Sequence, residues 1–82
     1  MKSRAEIESA VREVLSGALR RKVRDEETLV SSGLIDSLMI LRLISQIEAK
    51  LGSQIATENI QPDDFDTVPL AIETVERTIV QA

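Results

Sequence analysis

One hydroxyl stands out as a possible centre of chemistry: Ser37, in the run Gly33-Leu34-Ile35-Asp36-Ser37-Leu38. The chain has neither histidine nor cysteine, so imidazole acid–base chemistry, thiol nucleophiles, disulfides and Cys/His metal sites are all excluded. Carboxylates, hydroxyls and amines are what remain. A serine with no histidine to activate it makes a poor hydrolase nucleophile. Asp36 can cap a helix through its carboxylate, which places Ser37 at or next to the first helical position. A phosphate on that serine would lie over the positive end of the helix, where free N–H groups and the macrodipole favour an anion.

The other acidic constellation is Asp63, Asp64 and Asp66. A divalent cation site there would need the central glycine and terminal glutamate of an EF-hand loop, and neither is in place. The stretch reads as a solvated acidic turn.

The elements that must position Ser37 can be read from periodicity. Behind the serine, residues 38 to 51 form the most strongly apolar helical segment, and Gly52 is a natural stop. At about 100° per residue, Ile40, Leu43, Ile44, Ile47 and Leu51 fall within about 60° of one direction, the core face. Leu38 and Leu41 lie roughly 100 to 160° away, with Arg42, Ser45 and Ala49. Two leucines beside Ser37 are a candidate docking patch. The competing reading packs them under the preceding loop or against the next helix. A short bundle cannot cover every side of this helix, which favours docking.

Upstream, Ser3 and Glu6 form a capping box, and Ile7, Ala10, Val11, Val14, Leu15, Ala18 and Leu19 make one apolar stripe of a first helix. Arg20, Arg21, Lys22 and Arg24 follow it. Without neighbouring aromatic residues they make a poor polyanion site, and cations complement a helix C-terminus. Residues 25 to 36 are a long loop, in which Leu29 and Leu34, with Val30 or Ile35, are expected to reach the core and Gly33 supplies a turn.

Downstream, Ile55 is expected to anchor the connection, and Thr57 to cap a short helical turn through Ile60 that Pro62 ends or redirects. Phe65, the only aromatic residue, reads as a core anchor. A last helix starts at Thr67 with Pro69 in its first turn, buries Val68, Ile72, Val75 and Ile79, and turns Glu73, Glu76 and Arg77 to water.

Length and composition bound these readings. Eighty-two residues, 43% of them hydrophobic, suit one aliphatic domain over residues 1 to 82, with little chain left for an enzyme cleft. The expected fold is all-α, a small three- to four-helix bundle with a long loop between helices 1 and 2. Net charge is −4, divided into +4 over residues 1 to 24 and −8 over residues 25 to 82. The acidic part suits basic protein partners and disfavours nucleic acid. No apolar run exceeds four residues, and no hydrophobic segment follows the N-terminal residues, so the expectation is a cytoplasmic chain with no membrane insertion.

The Asp36-Ser37-Leu38 motif, preceded by this loop and followed by this helix, resembles the modification site of the acyl carrier protein family. The resemblance implies covalent 4'-phosphopantetheine on Ser37, with Asp36 as motif residue and helix cap. It also implies a non-enzymatic monomer that carries acyl or aminoacyl groups as thioesters in lipid or secondary-metabolite biosynthesis. Its partners would be a phosphopantetheinyl transferase, a loading enzyme (an adenylating ligase or an acyltransferase), and a downstream synthase or transferase. Docking would use the helix after the serine, here through Leu38, Leu41, Arg42 and Ser45. Fatty-acid-type carriers usually show acidic residues soon after the motif, where this chain has Met39 and Arg42. Gly33 precedes Asp36 by two intervening residues where one is usual, and the segment from residue 55 to 67 is longer. In both respects the chain looks more like D-alanyl carriers and some discrete peptide or polyketide synthase carriers. Two other classes are open: a non-catalytic helical interaction module with a decayed carrier fold, which would not need Ser37, and a nucleic-acid-binding bundle suggested only by the basic cluster.

Overall fold

Three α-helices and one 3-10 turn make up the fold in the computed structural model, which describes residues 2–80. α1 is Arg4–Leu19, α2 is Ser37–Leu51 and α3 is Val68–Thr78, with the 3-10 helix η1 at Pro62–Phe65. No strand occurs among the described residues. An isolated antiparallel bridge between Ile55 and Ile79 ties the segment after α2 to the end of α3.

Each helix starts where a side chain can satisfy its orphan N–H groups. Ser3 and Glu6 close the expected capping box on α1, Asp36 caps α2, and Thr67 caps α3 with Pro69 in the first turn. Gly52 ends α2 at φ 64°, a conformation that carries no penalty for glycine.

The apolar stripes meet in one core. α1 packs against both α2 and α3, and η1 reaches from α3 to α2. Ile40, Leu43, Ile44, Ile47 and Leu51 are all buried, as the 100° wheel requires. Val68, Ile72, Val75 and Ile79 are buried too, whereas Glu73, Glu76 and Arg77 are exposed. Phe65 has no exposed surface and fills the space between η1 and the helices. Thr74 is the one buried polar residue among those described, and its hydroxyl donates to the Asp64 carbonyl at 3.3 Å.

Two expectations need correction. The fragment between α2 and α3 is not helical at residues 57 to 60, where a single bond from the Ile60 N–H to the Thr57 carbonyl (3.2 Å) closes a turn. Of the two roles open to Pro62, it redirects the chain by beginning η1. Its fixed φ and missing N–H suit a first helical position, and the preceding Gln61 N–H donates to the Asp64 carboxylate at 2.8 Å.

Leu34 is the second correction. It stays 44% exposed, while Leu29 and Ile35 are buried and Val30 is partly buried. The Ile35 N–H donates to the Leu29 carbonyl at 3.0 Å, so these two residues face the core together and the intervening turn, with Gly33 at φ 82°, points outward.

The basic stretch after α1 also departs from a simple dipole reading. Arg20 occupies the left-handed cap at φ 58°, and no cation lies in the last turn of α1. Arg21 makes a forked pair with Glu27 at 3.0 and 2.7 Å, and Arg24 reaches Glu26 and Glu27. These cations fold the start of the long loop back on itself.

Candidate functional site at the N-terminus of α2

Ser37 is the first residue of α2 and is exposed. Asp36, in extended backbone at φ −122° and ψ 179°, turns its carboxylate onto the Met39 N–H at 2.9 Å. Its carbonyl accepts from the Ile40 N–H at 2.9 Å, the first bond of the helix. The serine hydroxyl makes no hydrogen bond to any described residue. It therefore stands open at the positive end of α2, beside backbone N–H groups that the helix itself cannot satisfy.

The serine lies between two shallow depressions. On one side, Ser37, Ile40, Leu41 and Ile44 of α2 face Thr57, Ile60 and Pro62 across an open groove of about 220 Å³. The groove walls are aliphatic, with the Ser37 and Thr57 hydroxyls as their polar side-chain groups. On the other side, Asp36, Leu38, Met39 and Arg42 border a hollow of about 360 Å³ that reaches Ala18 at the end of α1. A further depression, about 430 Å³, lies at the opposite end of α2 beside Lys50 and Leu51. At 1.5 Å per residue, the length of α2 puts it roughly 20 Å from the serine.

Around the serine, Leu38 is 66% and Leu41 60% exposed, and Arg42 and Ser45 are exposed with them. Both leucines keep most of their surface open, although Leu41 edges the groove that faces Thr57, Ile60 and Pro62. Arg42 has no ion-pair partner among the described residues. The one carboxylate on α2, that of Glu48, accepts from the Ile55 N–H at 2.8 Å. On an acidic chain, the outer face of α2 is thus apolar with a free cation.

The sequence matches the family described as phosphopantetheine attachment site over residues 9–69, well over half of the chain. The chain belongs to that family. No curated protein matches it at a significant level. Domains of the phosphopantetheine attachment family receive 4'-phosphopantetheine covalently, and they generally act as carriers for partner enzymes without catalysing reactions themselves. The residues present fit such a group: an open hydroxyl, a helix N-terminus that favours a phosphodiester anion, and an aliphatic groove at its edge.

Other parts of this attachment domain differ from their sequence readings. Asp66 is not simply solvated: its carboxylate accepts from the Val30 N–H at 2.9 Å, the Ser31 N–H at 2.8 Å and the Ser31 hydroxyl. These bonds hold its carboxyl below the usual carboxylate range, the Ser31 hydroxyl first and the backbone N–H groups after it. Asp64 caps η1 and lies 4.0 Å from Arg77. No group of three metal-ligating side chains occurs among the described residues. No helix among them is long and apolar enough to cross a membrane.

Sequence reasoning missed three neighbours of the site. Ile60 and Pro62 form the far wall of the groove at Ser37, and Leu34 adds apolar surface three residues before the serine. The Ser31-Ser32-Gly33 turn was the available signal for Leu34, because a turn that presents a serine also presents its neighbours.

Proposed function

We propose that this chain is a carrier whose Ser37 hydroxyl bears the 4'-phosphopantetheine arm and whose α2 surface brings the loaded arm to successive enzymes. The arm, when attached, supplies the terminal thiol that holds an acyl or aminoacyl group as a thioester. The chain itself holds the phosphodiester at the positive end of α2, anchors the tether on a capped, rigid helix, and offers docking contacts beside it. It catalyses no step. A tether raises the effective concentration of the cargo at whichever active site the domain has docked against.

The observation that carries this reading is the placement of Ser37: exposed, at the first position of a capped helix, with its hydroxyl uncommitted. Leu38, Leu41, Arg42 and Ser45 form the docking face, which fits an apolar recess in the partner with a carboxylate opposite Arg42. Such contacts give specificity and fast encounter, with release after each step. The partners are a phosphopantetheinyl transferase, a loading enzyme (adenylating ligase or acyltransferase) and a downstream synthase or transferase. The length of the segment from residue 55 to 67 and the motif spacing favour an aminoacyl or specialised acyl cargo.

Because the chain has no cysteine, any thiol found on it after reaction must belong to the arm. Incubation with coenzyme A and a broad-specificity phosphopantetheinyl transferase, followed by thiol titration of the repurified protein, should give one thiol per chain. Ser37→Ala should give none. Wild-type protein that remains free of thiol would refute the reading.

A further inference from the structure

Among the described residues, the hydrogen bonds that tie the loop before Ser37 to the other half of the chain all run to one residue, Asp66. Leu29 donates its N–H to the Asp66 carbonyl at 2.6 Å, and Val30 and Ser31 donate theirs to the Asp66 carboxylate at 2.9 and 2.8 Å. The Ser31 hydroxyl donates to the second carboxylate oxygen. From there the order passes along the chain. The Leu29 carbonyl accepts from the Ile35 N–H at 3.0 Å, the Val30 carbonyl accepts from the Gly33 N–H at 3.0 Å, and the side chains of Leu29 and Ile35 are buried. The next two residues are the helix cap Asp36 and Ser37. Asp66 also directly follows η1, whose first residue, Pro62, lines the groove at the serine.

We infer that Asp66 is a positioning residue for the modification of Ser37, fixing the 29–35 loop and η1 to one another so that the N-terminus of α2 is presented in one arrangement. This role rests on the carrier reading above. A carboxylate suits it because it only accepts and offers several lone-pair directions, so it can hold two adjacent amides and a hydroxyl at once. The loop has no helix or strand of its own, and without those acceptors its backbone would sample many arrangements. A transferase that recognises one of them would then meet only a fraction of the carrier molecules in competent form. Its apparent affinity would fall by that fraction, while the chemical step in the bound complex would be unchanged.

A purely structural Asp66 would lower thermal stability and leave the kinetics of the folded protein alone, so the test reads kinetics well below the melting temperature. The full chain, coenzyme A and a broad-specificity phosphopantetheinyl transferase are used, and product is followed by intact mass. Asp66→Ala should raise KM for the carrier about tenfold with kcat within about twofold. Asp66→Asn keeps an oxygen acceptor for both amides and should return KM to within about twofold of wild type. A folded Asp66→Ala protein with wild-type KM would overturn the proposal, as would an Asp66→Asn protein as impaired as the alanine variant. If Asp66→Ala does not fold, Ser31→Ala, which removes only the hydroxyl contact, should raise KM about threefold, and an unchanged KM there would overturn it equally. Wild-type protein that is not modified at all would instead refute the carrier reading, and the positioning role with it.

Discussion

The Asp36 carboxylate accepts the Met39 backbone N–H at 2.9 Å, one residue before the exposed hydroxyl of Ser37. The same side chain therefore starts α2 and sets where the serine stands. Asp36→Ala removes the cap and should cost about 1 kcal/mol. That corresponds to roughly 4 to 8 °C in melting temperature for a domain of this size. Asp36→Asn retains an oxygen acceptor and should lose far less, and thermal unfolding followed by circular dichroism measures both.

The two faces of α2 should respond in opposite ways. Leu41→Ala removes an exposed side chain and should shift stability by no more than about 0.5 kcal/mol, while slowing modification or loading by the partner enzymes. Ile44→Ala, three positions further along the same helix but buried, should cost about 2 to 5 kcal/mol in denaturant unfolding. A large stability loss for Leu41→Ala would assign that leucine to the core.

Phe65 joins η1 to the helices with no surface exposed. Phe65→Ala should cost about 3 to 5 kcal/mol, enough to unfold a large share of a domain this small. Chemical denaturation at neutral pH gives the value directly.

Acid should act on the turn after α1. Glu27 is held at about 2, well below the ordinary glutamate value, first by the hydrogen bond from Arg21 and then by the Arg24 backbone N–H. A carboxyl depressed in the folded state contributes stability that is fully present above its unfolded value and is lost as pH falls through its folded value. The wild type should therefore be more stable than Glu27→Gln at neutral pH, and the gap should close as pH drops from the ordinary glutamate range toward about 2. Melting temperatures of the two proteins across that range are the check, and the exposure of the Arg21 partner keeps the effect modest.

What the sequence made legible follows from where the information is local. The buried and exposed faces of α2 and the caps at Ser3, Asp36 and Thr67 depend on residues within a turn or two, and all of them could be read in advance. Leu34 was expected in the core, with Ile35 only an alternative to Val30, and the structure reverses the two, because a loop has no period to say which neighbour turns inward. The hydrogen bond between Ile35 and Leu29 decides that. Pro62 is compatible with ending one element or beginning the next, and the Gln61–Asp64 contact selects the second. Asp66 was illegible for a different reason: its partners Val30 and Ser31 lie 36 and 35 residues upstream, and only the folded chain brings them together. In the same way, Arg21 and Arg24 showed a charge cluster in the sequence, whereas the structure shows the carboxylates that absorb it.

The most direct measurement is mass spectrometry of the full chain after reaction with coenzyme A and a phosphopantetheinyl transferase, followed by fragmentation of the peptide that contains Gly33 to Leu38. The expected result is one phosphopantetheinyl group per chain, located on Ser37 and absent from Ser37→Ala. An unmodified wild type, or the same mass gain in Ser37→Ala, would contradict the assignment of Ser37 as the attachment point.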